Sequence, residues 1–467
     1  MRWTIFWKQT SWRKFLAVFL KCKEKKRSRT YSSASTNRYI SRFLLISLTI
    51  DAILQETTLH QRRQKLSAIK DRLGLESVYG KTLGRIKRQE GARERLGMAA
   101  LMWISHSERP LKAVELCHAL AVDIGAPNLN ANNVPSIETV LTCRQGLLAV
   151  DKEASMVRLI HFTLQEYLRA HPVLFGTVQA TMAEICLSYL NSQQVRALPT
   201  SPAPHLQGTH FLEYCSVYWG VHARRDLSNC AKRLSMELFS DYTYHISIKT
   251  LLKAPGLEIY SRTTDFNKPH VFSSLHCASL FGIVEVITDL IEVKGCDVNQ
   301  RDCLSATPLG WAAFNGHKRV VKILLKRGDI CPNGVNGAGQ TPLYHAALRG
   351  HAGVVKMLLE RSDVDPNKPD ISGITPLFCA AWNGHEGVAK VLLERNEVNP
   401  DRPDNKGRTP LWAATHNGHA EVAKMLVQKS EVNTDEPDSH GRTPLRQATR
   451  RGHTAVVVRQ RARSSSI

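Results

Sequence analysis

The sequence predicts a mainly α-helical chain: a solenoid of stacked helical repeats in the carboxy-terminal two-fifths, behind a smaller helical platform. Three observations predict it. A Thr-Pro-Leu tripeptide returns every 34 residues. Apolar residues between its copies keep helical spacing. In the platform, two short apolar runs flank a polar turn between helical stretches.

The tripeptide begins at Thr307, Thr341, Thr375, Thr409 and Thr443, and a degenerate copy, Ser273-Ser274-Leu275-His276, lies one period earlier. A fixed period of this size marks stacked supersecondary units. Thr is a good N-cap, because its hydroxyl accepts from a free N–H of the first turn. Pro follows at the first helical position, where it has no donor to lose. The small pairs Ala312-Ala313, Ala346-Ala347, Ala380-Ala381 and Ala414-Thr415 let a second helix approach closely. Gly-His closes the first helix at Gly316-His317, Gly350-His351, Gly384-His385, Gly418-His419 and Gly452-His453, glycine supplying the left-handed conformation that ends a helix. A second helix follows, with Val320, Val321, Ile323, Leu324 and Leu325 as its apolar set in the second copy. A polar loop such as Asp363-Val364-Asp365-Pro366-Asn367 then stops it. The last copy departs, with Arg459-Gln460-Arg461 where copies two to four carry an apolar triple. That fits either a polar cap on the stack or a truncated or frame-altered end.

Asp370-Ile371-Ser372-Gly373-Ile374-Thr375-Pro376-Leu377 and Asp404-Asn405-Lys406-Gly407-Arg408-Thr409-Pro410-Leu411 closely resemble the ankyrin repeat, whose pattern is D-x-x-G-x-T-P-L-H-x-A-A-x-x-G-H. The family histidine is replaced by Gly310, Tyr344, Phe378, Trp412 and Arg446 in the later copies. This is expected to soften helix-capping bonds without changing the fold. The resemblance implies an ankyrin-repeat α-solenoid that binds proteins through its concave face, made of loop tips and first helices. Carried over residue by residue, the tips include Cys303, Leu304, Ala306, Gln340, Ile371, Ile374, Asn405, Arg408 and Arg442. The first helices contribute Phe314, Asn315, Leu348, Arg349, Trp382, Asn383, His416 and Asn417. The candidate partner-binding set is Phe314, Asn315, Leu348, Arg349, Ile371, Ile374, Trp382, Asn383, Asn405, Arg408, His416 and Asn417. Trp382 and Arg349, if exposed, are hot-spot types, with Phe314 as an aromatic neighbour.

In the platform, residues 95–122 read as helices split at Pro110, and a short helical stretch over 137–143 precedes the apolar run 147–150. The polar turn Asp151-Lys152-Glu153 leads into a second run, 156–161, and a helix over 163–170. Helices followed by a hairpin are the outline of a winged helix. Arg158-Leu159-Ile160-His161-Phe162-Thr163-Leu164-Gln165-Glu166-Tyr167-Leu168 resembles the winged-helix region of fungal NACHT–ankyrin signalling proteins, over 98–168. In that family the histidine matching His161 faces the β-phosphate of bound ADP, which makes His161 the candidate cofactor-binding residue. The family's ATPase core is expected to be absent. The only Gly-Lys-Thr, Gly80-Lys81-Thr82, has Leu75 where a phosphate loop needs glycine, and no apolar strand precedes it. The organisation expected is a basic tail (1–50), a helical segment (51–95), a winged-helix-like domain (96–170), a helical linker region (171–265), six ankyrin repeats (266–460) and a tail (461–467).

Net charge is +22, and residues 1–50 hold twelve Lys or Arg against Glu24 alone. This fits a solvated basic tail, a mitochondrial-type presequence or a membrane-surface helix. The best apolar run, 43–54, includes Asp51 and is too short to span a bilayer. Eleven dispersed cysteines without a CxxC pair fit reduced thiols in the cytoplasm, with the nucleus as an alternative. The helix over 111–121 carries Lys112 offset by Glu115, too little positive charge to read DNA. No catalytic or metal-ligand arrangement is evident, so no enzyme and no cofactor is expected. The reading is a protein-binding adaptor with an unknown partner, in signalling or self/non-self recognition. A nucleotide-switched remnant using His161 and a basic DNA- or membrane-associated protein are the alternatives.

Overall fold

The computed structural model describes residues 58, 61, 75–89, 91–143, 146–151, 153–198, 209–240, 242, 245–254, 272–293 and 295–453. The expected basic tail and the Arg459-Gln460-Arg461 segment lie outside them. The chain divides into two compact units, Met1–Ser105 with Glu138–Leu174 and His106–Ile137 with Phe175–Ile467. Among the described residues, no helix is long and apolar enough to cross a membrane.

The first unit is built from helices Leu75–Lys87, Ala92–His106, Ile137–Cys143 and Phe162–Ala170 around a hairpin. Tyr79, Leu83 and Ile86 recur at helical spacing and are buried, as are Leu164 and Leu168. Gly97 permits a close crossing. A Cβ there would stand 2.9 Å from the Cys143 carbonyl oxygen and 3.1 Å from Ile86 Cγ2. The two apolar runs pair antiparallel, with Leu148 opposite Leu159 and Val150 opposite Val157. Asp151 Oδ1 accepts from the N–H groups of Glu153 and Ala154, which closes the turn. Arg169 Nε and Gln165 Nε2 donate to the Ser105 carbonyl, fastening the last helix to the end of an earlier one.

In the second unit, six first helices recur, at Ser274–Phe281, Pro308–Phe314, Pro342–Leu348, Pro376–Asn383, Pro410–Asn417 and Pro444–Arg451. Among the described residues, second helices follow the first five, from Val284–Glu292 to Ala420–Val427. The Thr hydroxyls at 307, 341, 375, 409 and 443 each accept from the N–H three residues on, at 3.1–3.3 Å. Loop tips are organised by Asp302, Asn336, Asp370, Asp404 and Asp438. The Oδ1 of each accepts from the N–H groups two and four residues on. Successive tips are joined by backbone bonds, such as Asn405 N–H to the Ser372 carbonyl at 3.0 Å.

A histidine ladder ties copy to copy. Nε2 of His317, His351, His385, His419 and His453 donates to the carbonyls of Leu280, Phe314, Leu348, Trp382 and His416, at 2.9–3.2 Å. The first copy retains the family histidine after leucine. His276 Nδ1 accepts from Ser273 N–H, and Nε2 donates to the Gln300 carbonyl at 2.9 Å. In later copies the second oxygen of the tip carboxylate finds other donors. Trp311 Nε1 donates to Asp302 at 2.7 Å, Tyr344 Oη to Asp370 at 3.2 Å, and Arg408 Nε to Asp404 at 2.7 Å.

The stack continues upstream of the Thr-Pro-Leu copies. Helix Leu212–Arg225 packs against Ser274–Phe281, and Asn229–Phe239 against Val284–Glu292, as one repeat packs on the next. Trp219 meets Phe281 edge to face at 5.2 Å, and a Cβ on Gly220 would collide with the Phe281 ring. Lys232 Nζ lies 2.7 Å from Asp289, on the second-helix side. Trp219, Tyr214 and Phe211 are fully buried, so this helix pair covers what would otherwise be an open end of the array.

A second ladder runs along the outer loops. Asn299, Asn333 and Asn367 donate from Nδ2 to the carbonyls of Asp329, Asp363 and Glu397, and their Oδ1 atoms accept from the N–H groups of Cys331, Asp365 and Asn399. The next rung is Asp401. Its Oδ2 accepts from Asn433 N–H, but it has no amide to donate, and Oδ1 is buried without a partner. Burial raises its pKa. Asp401→Asn is therefore expected to restore the bond to the Glu431 carbonyl and stabilise the array by about 1 kcal/mol at pH 7. Because the folded pKa of Asp401 is raised, acidification relieves the wild-type rung, so the gain should shrink as pH falls. Urea midpoints at pH 7 and pH 4.5 check this; an unchanged midpoint at pH 7 contradicts it.

Candidate protein-binding face

The first helices and loop tips of copies four to six assemble one aromatic and cationic surface. The position after Thr-Pro-Leu places Phe378 and Trp412 one copy apart, and both are buried at 2% exposure. Trp382, half-buried, lies near-parallel to them, with ring centroids 6.2 Å from Phe378 and 6.5 Å from Trp412. The His416 ring stacks on Trp412 at 4.5 Å and on Trp382 at 5.5 Å. The guanidinium of Arg408 sits 5.4–5.8 Å from the rings of Phe378, Trp382 and Trp412, and that of Arg442 lies 5.8 Å from Trp412. Each such cation–ring contact contributes about 0.5–1 kcal/mol near the surface. The tip carboxylates hold the arginines there. Arg442 Nε donates to Asp438 Oδ2 at 2.8 Å, as Arg408 does to Asp404. A smaller version stands between copies two and three, where Arg349 covers Phe314 at 4.7 Å.

The family description "Ankyrin repeats (3 copies)" matches residues 275–370, 330–404 and 377–458. Residues 275–458 are ankyrin repeats. Similar solved structures include a crystal structure of EF0377, an ankyrin repeat protein, at 25% identity and TM-score 0.38, covering 40% of this chain and 95% of that one. The ankyrin repeat domain of Bcl-3, described as a unique member of the IkappaB protein family, is 25% identical at TM-score 0.36, covering 39% and 82%. Residues 87–179 match the winged helix domain of GPI inositol-deacylase, so a winged-helix domain precedes the ankyrin repeats. No curated protein matches the chain.

The other sequence-predicted residues occupy this ankyrin face in different ways. Arg349 is exposed, whereas Phe314 is 5% exposed and forms the floor beneath it, edge-on to His345. Leu348 is half-buried, and its carbonyl accepts from His385. Asn315 and Asn383 turn their amides back onto the carbonyls of Trp311 and Cys379, both at 3.0 Å. Asn417 Nδ2 donates to the Trp382 carbonyl at 2.8 Å, alongside His419. Asn405 bridges tips by donating to the Ile371 carbonyl at 3.0 Å. Ile371 itself is 71% exposed, while Ile374 is half-buried with its N–H on Asp370. Phe378, Trp412 and Arg442 complete the surface beyond the candidate set. Their only signal in the sequence is register: an aromatic in place of the family histidine, and an arginine one residue before the next threonine.

His161 belongs to the first unit. It caps helix Phe162–Ala170, its Nδ1 accepting from Thr163 N–H at 3.2 Å and lying 2.8 Å from Thr163 Oγ1. Tyr79 Oη joins the same hydroxyl at 2.8 Å. Burial lowers the His161 pKa, which favours a neutral ring.

Proposed function

We propose that the chain is a non-enzymatic adaptor that captures another protein on the ankyrin face. The observation that carries this is the half-exposed Trp382, stacked on Phe378, Trp412 and His416 under Arg408. Ankyrin repeats imply protein binding, and a rigid aromatic–arginine surface has the composition of interface hot spots. The surface is also pre-organised, because its rings and guanidinium groups are already fixed by stacking and carboxylates, so little side-chain freedom is lost on docking. The winged-helix domain before the array supports a receptor-like signalling design in which the repeats are the recognition end.

The test is affinity capture with the full chain. Trp382→Ala and Arg349→Ala are each expected to reduce recovery of specific partners by about tenfold or more. Arg319→Ala, exposed on a second helix, is expected to leave recovery unchanged. Wild-type recovery by the Trp382 and Arg349 variants would remove this face from the reading.

A further inference from the structure

We infer that the ankyrin face takes an acidic segment of its protein partner, a stretch rich in Asp and Glu. The inference rests on the protein-binding reading above and specifies the chemistry of what is bound.

None of the six first helices contains an Asp or Glu. Acids occur instead on the second helices, as Glu285, Asp289, Glu292, Glu386 and Glu421, and in the outer loops after them, as Asp329, Asp363 and Glu397. The acids at the tips are consumed internally. Asp404 and Asp438 are each 1% exposed in their side chains, with Oδ1 on backbone N–H groups and Oδ2 on arginine. Against this acid-free background stand Arg408 and Arg442 on the aromatic stack, and Arg446, Arg450 and Arg451, all exposed, on the last first helix. Three of them act on the His416 ring. Its pKa is lowered first by burial and also by Arg451, Arg408 and Arg442, against a hydrogen bond with Gln447 that raises it. A net positive field over a flat aromatic floor complements carboxylates on a partner with apolar side chains between them. The internal arrangement also displays the geometry to be recognised. Arg408 and Arg442 each bind one carboxylate oxygen through Nε and Nη2, leaving further N–H groups on each planar fork for a second acceptor.

The experiment is fluorescence anisotropy on the full chain at low salt, with a short labelled peptide alternating Asp and Leu. Controls are the same peptide with Asn in place of Asp and a single-stranded oligothymidylate of equal charge. The acidic peptide is expected to bind about tenfold or more tighter than the amide peptide. Arg446→Gln, Arg450→Gln and Arg451→Gln together should weaken it by about tenfold, and Arg349→Gln should also weaken it. These side chains are exposed, so an unchanged far-UV circular dichroism spectrum should accompany the loss. Equal binding of the two peptides overturns the inference, and so does tighter binding of oligothymidylate, which would make the cluster a nucleic-acid site. If partner capture still depends on Trp382 while the acidic peptide fails, the face stands and its acidic specificity falls. If neither depends on the face, both fall.

Discussion

Gly384→Ala is expected to destabilise the array by about 3 kcal/mol, a loss of roughly 10 °C in melting temperature for a unit of this size. Two effects combine. Gly384 closes its helix at φ 71°, in the left-handed region, which costs an L side chain about 1 kcal/mol. In addition, a Cβ there would lie 2.4 Å from Nδ1 of His419, the rung that donates to the Trp382 carbonyl at 3.1 Å. Either the ring or the neighbouring copy must shift, and with it the backbone of the residue at the centre of the binding face. Gly441 separates the two effects. It has φ 69° but nothing within 4 Å of an added Cβ, so Gly441→Ala should show only the conformational cost of about 1 kcal/mol. In Gly384→Ala/His419→Ala the collision is gone, so the double variant should lose less than the sum of the singles. Urea unfolding of the wild type, the three single variants including His419→Ala, and the double variant measures this; equal losses for Gly384→Ala and Gly441→Ala would show that the packing effect is absent.

That contrast also shows what a sequence can and cannot disclose in such a fold. The glycine, the histidine and the capping threonine each perform one local task, repeated at one period, so their roles are visible before any coordinates. The helix pair Leu212–Arg225 and Asn229–Phe239 does the packing work of a repeat with none of these marks. It fits by shape, through Gly220 and Trp219 against Phe281, and shape complementarity leaves no periodic trace. The face is intermediate. Register places Trp382, Arg408 and His416 on it, but not the reason for their order. That reason is the aromatic replacing the family histidine: Phe378 and Trp412 become floors for arginines from the next tip, thirty residues on in each case. Read as departures from a pattern, these residues suggest weakened capping; packed together, they make a surface. The same register hides the burial of Phe314, because only the side chains around it, His345 and Arg349, decide whether it is floor or rim.

Acidification from pH 6.5 to about pH 4 is expected to remove several kcal/mol from the stability of the second unit, before its carboxylates protonate in number. Three histidines drive this, two buried and one half-buried. Burial lowers the pKa of His222, His317 and His345 to about 4 in each case. His222 is fully buried between the Tyr214 hydroxyl at 2.9 Å and Gln179 Oε1 at 2.7 Å, an arrangement that suits a neutral ring. His345 is 3% exposed, edge-on to Phe314 and Tyr344, and its Nδ1 has no partner. His317 donates to the Leu280 carbonyl while Arg224 approaches its other nitrogen at 3.3 Å. In the unfolded chain these rings titrate near pH 6.5. Between that value and pH 4 the unfolded state binds protons that the folded state refuses, so stability rises with pH across this window and falls as pH is lowered. Asp401, whose folded pKa is raised, works in the opposite direction and offsets a small part of the loss. Urea midpoints followed by circular dichroism at pH 7.5, 6, 5 and 4.5 should decline most steeply below pH 6.5. His222→Gln removes one of the three titrating rings and should flatten the decline, whatever its cost at neutral pH. A midpoint that stays constant from pH 7.5 to pH 5 would mean that these rings accept a proton in the folded unit, which their desolvated surroundings argue against.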